Sequence, residues 1–251
     1  MTWGKMQPTN MLVVFNSVRS VVAYVLLCLY VAIVGPPALA VAFLTGRAQH
    51  VLALGQFGAR SVRQLLGIRL RTEGLEHVDQ SRPAVYCINH RSNVDVVAFE
   101  VLFARCPRLR GLYKAEMGKL PILGRALRLV GFVPVERGHR SRAFEAVDAA
   151  AARLAQGDSI LLAPEGTRGS RDELQPFKKG GFVMAIKAQV PVVPVALIGT
   201  AVAMPRGQFY VRPTCVTVRV GEPIPTTGLS LDDRDRLVAT VRERMQAMLR
   251  S

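Results

Sequence analysis

No aspartate or glutamate occurs before Glu73, although Lys5, Arg19, Arg47, Arg60, Arg63, Arg69 and Arg71 all precede it. Between Ser20 and Gly46 there is no charge of either sign. Unopposed cations flanking an uncharged apolar run fit an anionic lipid surface better than a solvated protein surface. Aromatic residues make up only 6% and do not alternate with the basic stretches, so the stacking platforms of a nucleic-acid binder are missing. Four cysteines, Cys28, Cys87, Cys106 and Cys215, show neither a CxxC pair nor zinc-like spacing. They give no sign of a disulfide framework, read as small buried hydrophobes, and point to a reducing compartment. There is no GxSxG elbow, no Walker A loop, no GxGxxG and no HExxH. The chain therefore offers no nucleophile of its own in a known setting, no dinucleotide loop and no helical zinc pair.

What is present is basic and apolar. The 251 residues carry a formal charge of +15, and half of them are hydrophobic. The mean hydropathy is +0.24, high for a soluble protein. A second basic zone spans 101–142, with ten Lys or Arg against Glu116 and Glu136. Such a balance favours a polyanionic partner. The uncharged run "VVAYVLLCLYVAIVGPPALAVAFL" is long enough to cross a bilayer, for which about 20 apolar residues suffice. The "GPP" at Gly35, Pro36 and Pro37 should bend or break a helix there. Two packed helices, over about 10–34 and 38–66, dipping into one leaflet fit this better than a clean span. A cleaved signal peptide fits worse, because the apolar part starts late and lacks a small-residue cleavage site.

From Gly67 onward, short β-rich runs alternate with helical ones. Strands are expected at 68–72, 84–88, 111–114, 132–136, 159–163, 192–197 and 216–220. Helices are expected at 94–103, 122–130, 141–156 and 182–188, with a last one opening at Ser230. Ser141 is the expected N-cap of the third, and Gly157 its stop. The predicted fold class is α/β: a mixed, mostly parallel sheet of about seven strands flanked by helices, preceded by a membrane-associated two-helix segment. This gives an anchor over 1–66 and one catalytic domain over 67–251.

Functional residues in such sheets gather where strands end. In "CINHRSNVDVVAFE", 87–100, an apolar strand meets a polar loop, which places His90 beyond the strand end and Asp95 in the next helical turn. If the turn folds back, the carboxylate fixes the imidazole tautomer and frees the other nitrogen as a general base. A histidine at a strand end also serves as a simple polar cap, and HxxxxD alone does not separate the two roles. In "LLAPEGTRGSRDELQPFKKGGF", a second strand runs into a turn containing Gly166 and Arg168, which could hold a phosphate through amides and a guanidinium. Lys178 and Lys179 follow and could add charge. Lys114 and Arg137 end two further expected strands and could face the same crevice, while 120–130 could line a pocket for an acyl chain but reads more simply as mostly core. "VPVVPVALIGT" reads as a buried strand whose prolines prevent simple ladder pairing, leaving it to shape a pocket wall.

Together these four stretches resemble the glycerolipid acyltransferase family, whose best-known members are the 1-acylglycerol-3-phosphate acyltransferases. Asn89, His90, Ser92 and Asp95 match its NHxSxxD block, and "GFVPVERG" its second block with Arg137 at the basic position. Pro164 with Glu165, Gly166, Thr167 and Arg168 matches the third block, and 190–195 the fourth. The likeness covers about 72–197; Ala163 departs from it, standing where the family often has Phe. It implies transfer of a fatty acyl group from a thioester, on coenzyme A or acyl carrier protein, to the sn-2 hydroxyl of lysophosphatidate, with no further cofactor and no metal. His90 would be the base, oriented by Asp95. Arg137, Glu165, Gly166, Thr167, Arg168 and Lys114 would form the phosphate-binding set, supported by Asn89 and Ser92. Another lysolipid, such as a lyso-ornithine lipid or a glycosylated lysophospholipid, is an alternative acceptor, and a non-catalytic basic membrane-binding protein is the alternative from a different class. The expected partners are a phospholipid membrane, the lysolipid and the acyl donor, without nucleic acid. The expected location is a bacterial inner membrane with the catalytic domain on its cytoplasmic face.

Overall fold

The computed structural model describes residues 8–136, 140–169 and 174–250. Two helices lead, α1 (Pro8–Thr45) and α2 (Gln49–Leu65). Strands and helices then alternate: β1 (Ile68–Glu73), β2 (Val85–Ile88), α3 (Val97–Arg105), β3 (Leu109–Lys114), α4 (Pro121–Leu129), β4 (Val133–Val135) and α5 (Arg140–Ala155). The chain continues through β5 (Ser159–Leu162), α6 (Gly180–Ala188), β6 (Val192–Ile198), α7 (Thr200–Ala203), β7 (Thr214–Val220) and α8 (Arg234–Arg250).

All seven expected strands form one sheet, in the order β1-β7-β6-β2-β5-β3-β4. Pairing is parallel from β6 through β4, while β7 runs antiparallel to β6 and carries β1 parallel to itself. The sheet is thus mixed, and β6, β2, β5, β3 and β4 end at the same edge. Side chains alternate across a strand. Tyr86 and Ile88 of β2 therefore enter one core with α3 and Ala23 of α1, while Val85 and Cys87 enter the other with α5, α6 and α8. A strand buried on both faces needs four apolar residues in a row, and β2 supplies "VYCI".

Three local expectations change. First, α1 continues through Pro36 and Pro37, and the chain turns only at Gly46, where φ is +67. Packing holds the helix through the prolines: α2 returns alongside it, and Gly35 lies so close to Ile122 of α4 that a Cβ would sit 2.5 Å from the isoleucine Cγ2. The 120–130 segment accordingly packs on α1, burying Gly124 and Val130 but leaving Leu120 and Leu129 exposed, so it forms less core than expected. Second, α5 begins at Arg140, so Ser141 falls inside the helix and not at its cap; Gly157, at φ +86, does end it. Third, β6 is paired on both sides despite Pro194. Val192 donates toward the β7 side, to Ile224, so the donor missing at Pro194 belongs to that side too. There β7 has already ended at Val220, and the Pro194 carbonyl accepts from Gly221 instead.

Candidate active site

The central strand β2 ends at Ile88, and Asn89 extends its ladder with a side chain. The fully buried amide donates to the Leu197 carbonyl at 3.0 Å and accepts from the Leu197 N–H at 2.6 Å. One asparagine thereby locks the ends of β2 and β6 together and sets where the next residue begins.

That next residue is His90. Its chain leaves the sheet and re-enters helix through a 3₁₀ turn over Asn93–Val96, closed by a reciprocal capping box. The Ser92 hydroxyl accepts from Val94 N–H at 3.2 Å, and the Asp95 carboxylate accepts from Ser92 N–H at 2.9 Å. The same oxygen, Asp95 Oδ2, takes Arg91 N–H at 2.7 Å and His90 Nδ1 at 2.8 Å. A carboxylate can only accept, so Nδ1 carries the proton, and in the neutral ring Nε2 keeps its lone pair. Asp95 is buried, whereas the His90 side chain is 26% exposed, so the imidazole reaches the open edge of the site. The four-residue spacing read from sequence thus closes into one ring of hydrogen bonds.

The "PEGTR" turn lies immediately beside it. Gly169 N–H donates to the His90 carbonyl at 2.8 Å, so Arg168 and Thr167 adjoin the histidine. Arg168 is half-buried and Thr167 exposed. Glu165 departs from the phosphate-binding role expected of it. It is buried, Oε1 accepts from His90 N–H at 2.7 Å and Oε2 accepts from Gln175 N–H at 2.8 Å. Both oxygens are occupied by backbone donors, and a carboxylate would repel phosphate. Glu165 ties the β2 and β5 loops together. Gly166 also departs: its N–H is directed inward to the Ala163 carbonyl at 3.1 Å. Its contribution is conformational, a φ of +70 beneath the Lys178 side chain, where a Cβ would come within 2.7 Å of Nζ.

Lys114 ends β3 at the same sheet edge, half-exposed and 3.3 Å from an equally exposed Glu116. An exposed pair of this kind is worth little and leaves the ammonium available. Arg137 lies outside the described residues. Two further cations stand at the site: Arg91, which the sequence reading left out, and Lys178, which it gave only as possible added charge. Arg91, inside "NHRSN", is buried, and its guanidinium flanks Gly169 beside Glu165. Lys178 lies over the "EGTR" turn, tethered by its own N–H to the Pro164 carbonyl at 2.8 Å. Its place after the turn was the only sequence signal. Cys87, three residues before His90, is fully buried, and desolvation holds its thiol far above the ordinary range, so it supplies no nucleophile.

Comparison with known proteins agrees with this geometry. The family model described as Acyltransferase matches residues 69–198, from within β1 to the end of β6. The 1-acyl-sn-glycerol-3-phosphate acyltransferase of Limnanthes alba is 32% identical over 180 residues, 71% of this chain and 63% of that protein. The chain thus spans somewhat under two thirds of that plant relative. Human 1-acyl-sn-glycerol-3-phosphate acyltransferase beta is 32% identical over 80% of this chain and 72% of its own length. The crystal structure of the 1-acyl-sn-glycerophosphate (LPA) acyltransferase PlsC from Thermotoga maritima superimposes with a TM-score of 0.79, at 24% identity, over 94% of this chain and 95% of that one. The fold is shared from the helix pair to α8, and the chain belongs to the acyltransferase family.

Proposed function

We propose that this protein transfers a fatty acyl group from a soluble acyl thioester, on coenzyme A or acyl carrier protein, to the sn-2 hydroxyl of lysophosphatidate, giving phosphatidate. The observation that carries the reading is the His90–Asp95 pair, with Nε2 open at a strand edge beside a cationic turn. Nε2 takes the proton of the acceptor hydroxyl as its oxygen attacks the thioester carbonyl. Asp95, already hydrogen-bonded at Nδ1, stabilises the imidazolium that forms. The tetrahedral adduct collapses, the carbon–sulfur bond breaks, and the imidazolium returns its proton to the departing thiolate. No acyl-enzyme is required, in keeping with the missing nucleophile motif. Arg168, Lys114 and Lys178 supply positive charge for the acceptor's phosphate, and Arg137 is a further candidate from its place in the sequence.

The acceptor and product are lipids, and α1 and α2 offer a surface for them. Phe15, Ile33, Phe43, Leu44 and Phe57 are between 63% and 84% exposed. The 38 residues of α1 would extend about 57 Å, well beyond the ~30 Å hydrocarbon core. Along that length α1 touches the α/β domain near Ser20 and again at Gly35. A charged domain lying beside the helix that far supports a helix pair seated in one leaflet over a helix that crosses. The inner, cytoplasmic face of a bacterial membrane is the side where the acyl donors occur.

The test is a panel of acceptors and donors with purified protein. Labelled acyl-CoA and acyl carrier protein are each offered lysophosphatidate, a lyso-ornithine lipid and a glycosylated lysophospholipid. Turnover of lysophosphatidate is expected, and its absence with every donor sinks the reading. His90→Ala is expected to lose about two orders of magnitude or more in kcat.

A further inference from the structure

Arg19 is the only charge between Lys5 and Arg47, in the middle of an apolar helix. A lone guanidinium there needs partners. It finds one in the α/β domain and one on its own helix: Nη2 donates to the Val211 carbonyl at 3.1 Å and to Asn16 Oδ1 at 3.0 Å. The neighbouring Ser20 is fully buried, and its hydroxyl accepts from the Val211 N–H at 2.8 Å. Two consecutive side chains of α1 thus hold both backbone groups of one residue. Tyr24, one turn on, donates to the Phe209 carbonyl at 2.7 Å.

Val211 belongs to the loop that leaves α7. Arg212 N–H donates to the Ala203 carbonyl at 2.8 Å, and the next carbonyl, that of Met204, accepts the Ser92 hydroxyl at 2.9 Å. Ser92 N–H in turn lies on Asp95 Oδ2, the oxygen that orients His90. A path of hydrogen bonds linked by short stretches of covalent chain, Val211–Arg212 and Ala203–Met204, therefore runs from Arg19 and Ser20 to the base. A second grip comes from α2. Arg63 makes a two-pronged pair with Glu100 of α3, at 2.7 and 3.0 Å, with side chains 15% and 8% exposed. The helix α3 continues directly from the turn that carries Asp95.

We propose that Arg19, Ser20 and Arg63 of the helix pair are positioning residues for the His90–Asp95 base, so that the pair is part of the catalytic scaffold as well as a membrane anchor. The proposal rests on the acyltransferase reading. Neither contact touches Lys114, Arg168 or Lys178, so binding of the acceptor should be spared. Misplacement of reacting groups by about 1 Å can cost on the order of a hundredfold.

The experiment uses the full chain, as wild type, Ser20→Ala, Arg19→Gln and Arg63→Lys. Each is measured for thermal unfolding, flotation with phosphatidylglycerol vesicles, kcat and KM for lysophosphatidate, and the NMR titration of the His90 imidazole. Expected for Ser20→Ala and Arg19→Gln is a roughly tenfold or larger fall in kcat, with KM and flotation retained and the His90 titration midpoint displaced. Arg63→Lys keeps the charge but loses the fork, and should show the same split in milder form. It also serves if Ser20→Ala does not fold. Unchanged kcat and unchanged titration in the folded variants overturn the proposal, as does a loss of activity that only follows a loss of flotation. If wild type fails to acylate lysophosphatidate, the functional reading falls, while the His90 titration still tests the coupling on its own.

Discussion

At the scale of single residues, the site is assembled by side chains that substitute for backbone. Asn89 completes a ladder, Asp95 caps a turn, and Glu165 accepts two main-chain amides from different loops. Each is a polar residue at a strand end, which is where a sequence reading looks for function. Sequence paired His90 with Asp95, because a histidine and a carboxylate five residues apart across a turn can meet without help from elsewhere. It misread Glu165, because the two amides it binds come from His90 and Gln175, 75 and 10 residues away. Glu165→Gln tests the revised role. A primary amide offers one acceptor oxygen, so one of the two buried N–H donors would face an NH₂ group. Unfolding by denaturant should show a loss of about 1–3 kcal/mol, the cost of an unsatisfied buried donor. Unaltered stability combined with a raised KM for lysophosphatidate would restore Glu165 to the phosphate site.

At the scale of elements, hydrophobic periodicity located every strand, yet the helix does not break at Pro36 and Pro37, and Pro194 leaves β6 paired on both sides. Proline ends a helix when nothing else holds the chain, and interrupts a ladder when its donor side is paired. In α1 the neighbouring helices hold the chain through Pro36 and Pro37. In β6 the donor side of Pro194 faces the chain just past the end of β7, where Gly221 donates to the Pro194 carbonyl and no partner needs a donor from residue 194. The α1–α4 contact depends on a residue without a side chain. Gly35→Val would drive a methyl-bearing carbon to within 2.5 Å of Ile122 Cγ2, part of a β-branched side chain with little rotamer freedom. Overpacking of this kind costs about 1–3 kcal/mol. Gly35→Val should therefore lower the denaturation midpoint, and pairing it with Ile122→Ala should recover part of the loss.

At the scale of the whole molecule, charge and apolar surface lie on the same segment. The +15 net charge and the acid-free first 72 residues favour an anionic partner. The helix pair adds Phe43 and Leu44, which are 84% and 81% exposed. Each Lys or Arg near an anionic surface contributes about 1 kcal/mol, screened by salt, whereas apolar insertion is not. Flotation with phosphatidylglycerol vesicles should fall as salt rises and level at a residual value. The double substitution Phe43→Ser, Leu44→Ser should lower that residual. Complete release of wild type by salt alone would show that the apolar face does not insert.

The sequence alone determined the α/β alternation, the seven strands, an apolar basic N-terminal helical segment and the pairing of His90 with Asp95. These depend on patterns within one stretch of chain, where period and spacing suffice. Only the tertiary structure decided that Glu165 joins loops, that α1 runs on through two prolines, and that Arg19 and Ser20 reach the catalytic turn through Val211 and Met204. Those outcomes depend on which distant segments become neighbours. Val211 and Ser20 are 191 residues apart, and Ser92 and Met204 are 112 apart. No local pattern encodes such pairings; the packing of one sheet between two helical layers brings them within reach.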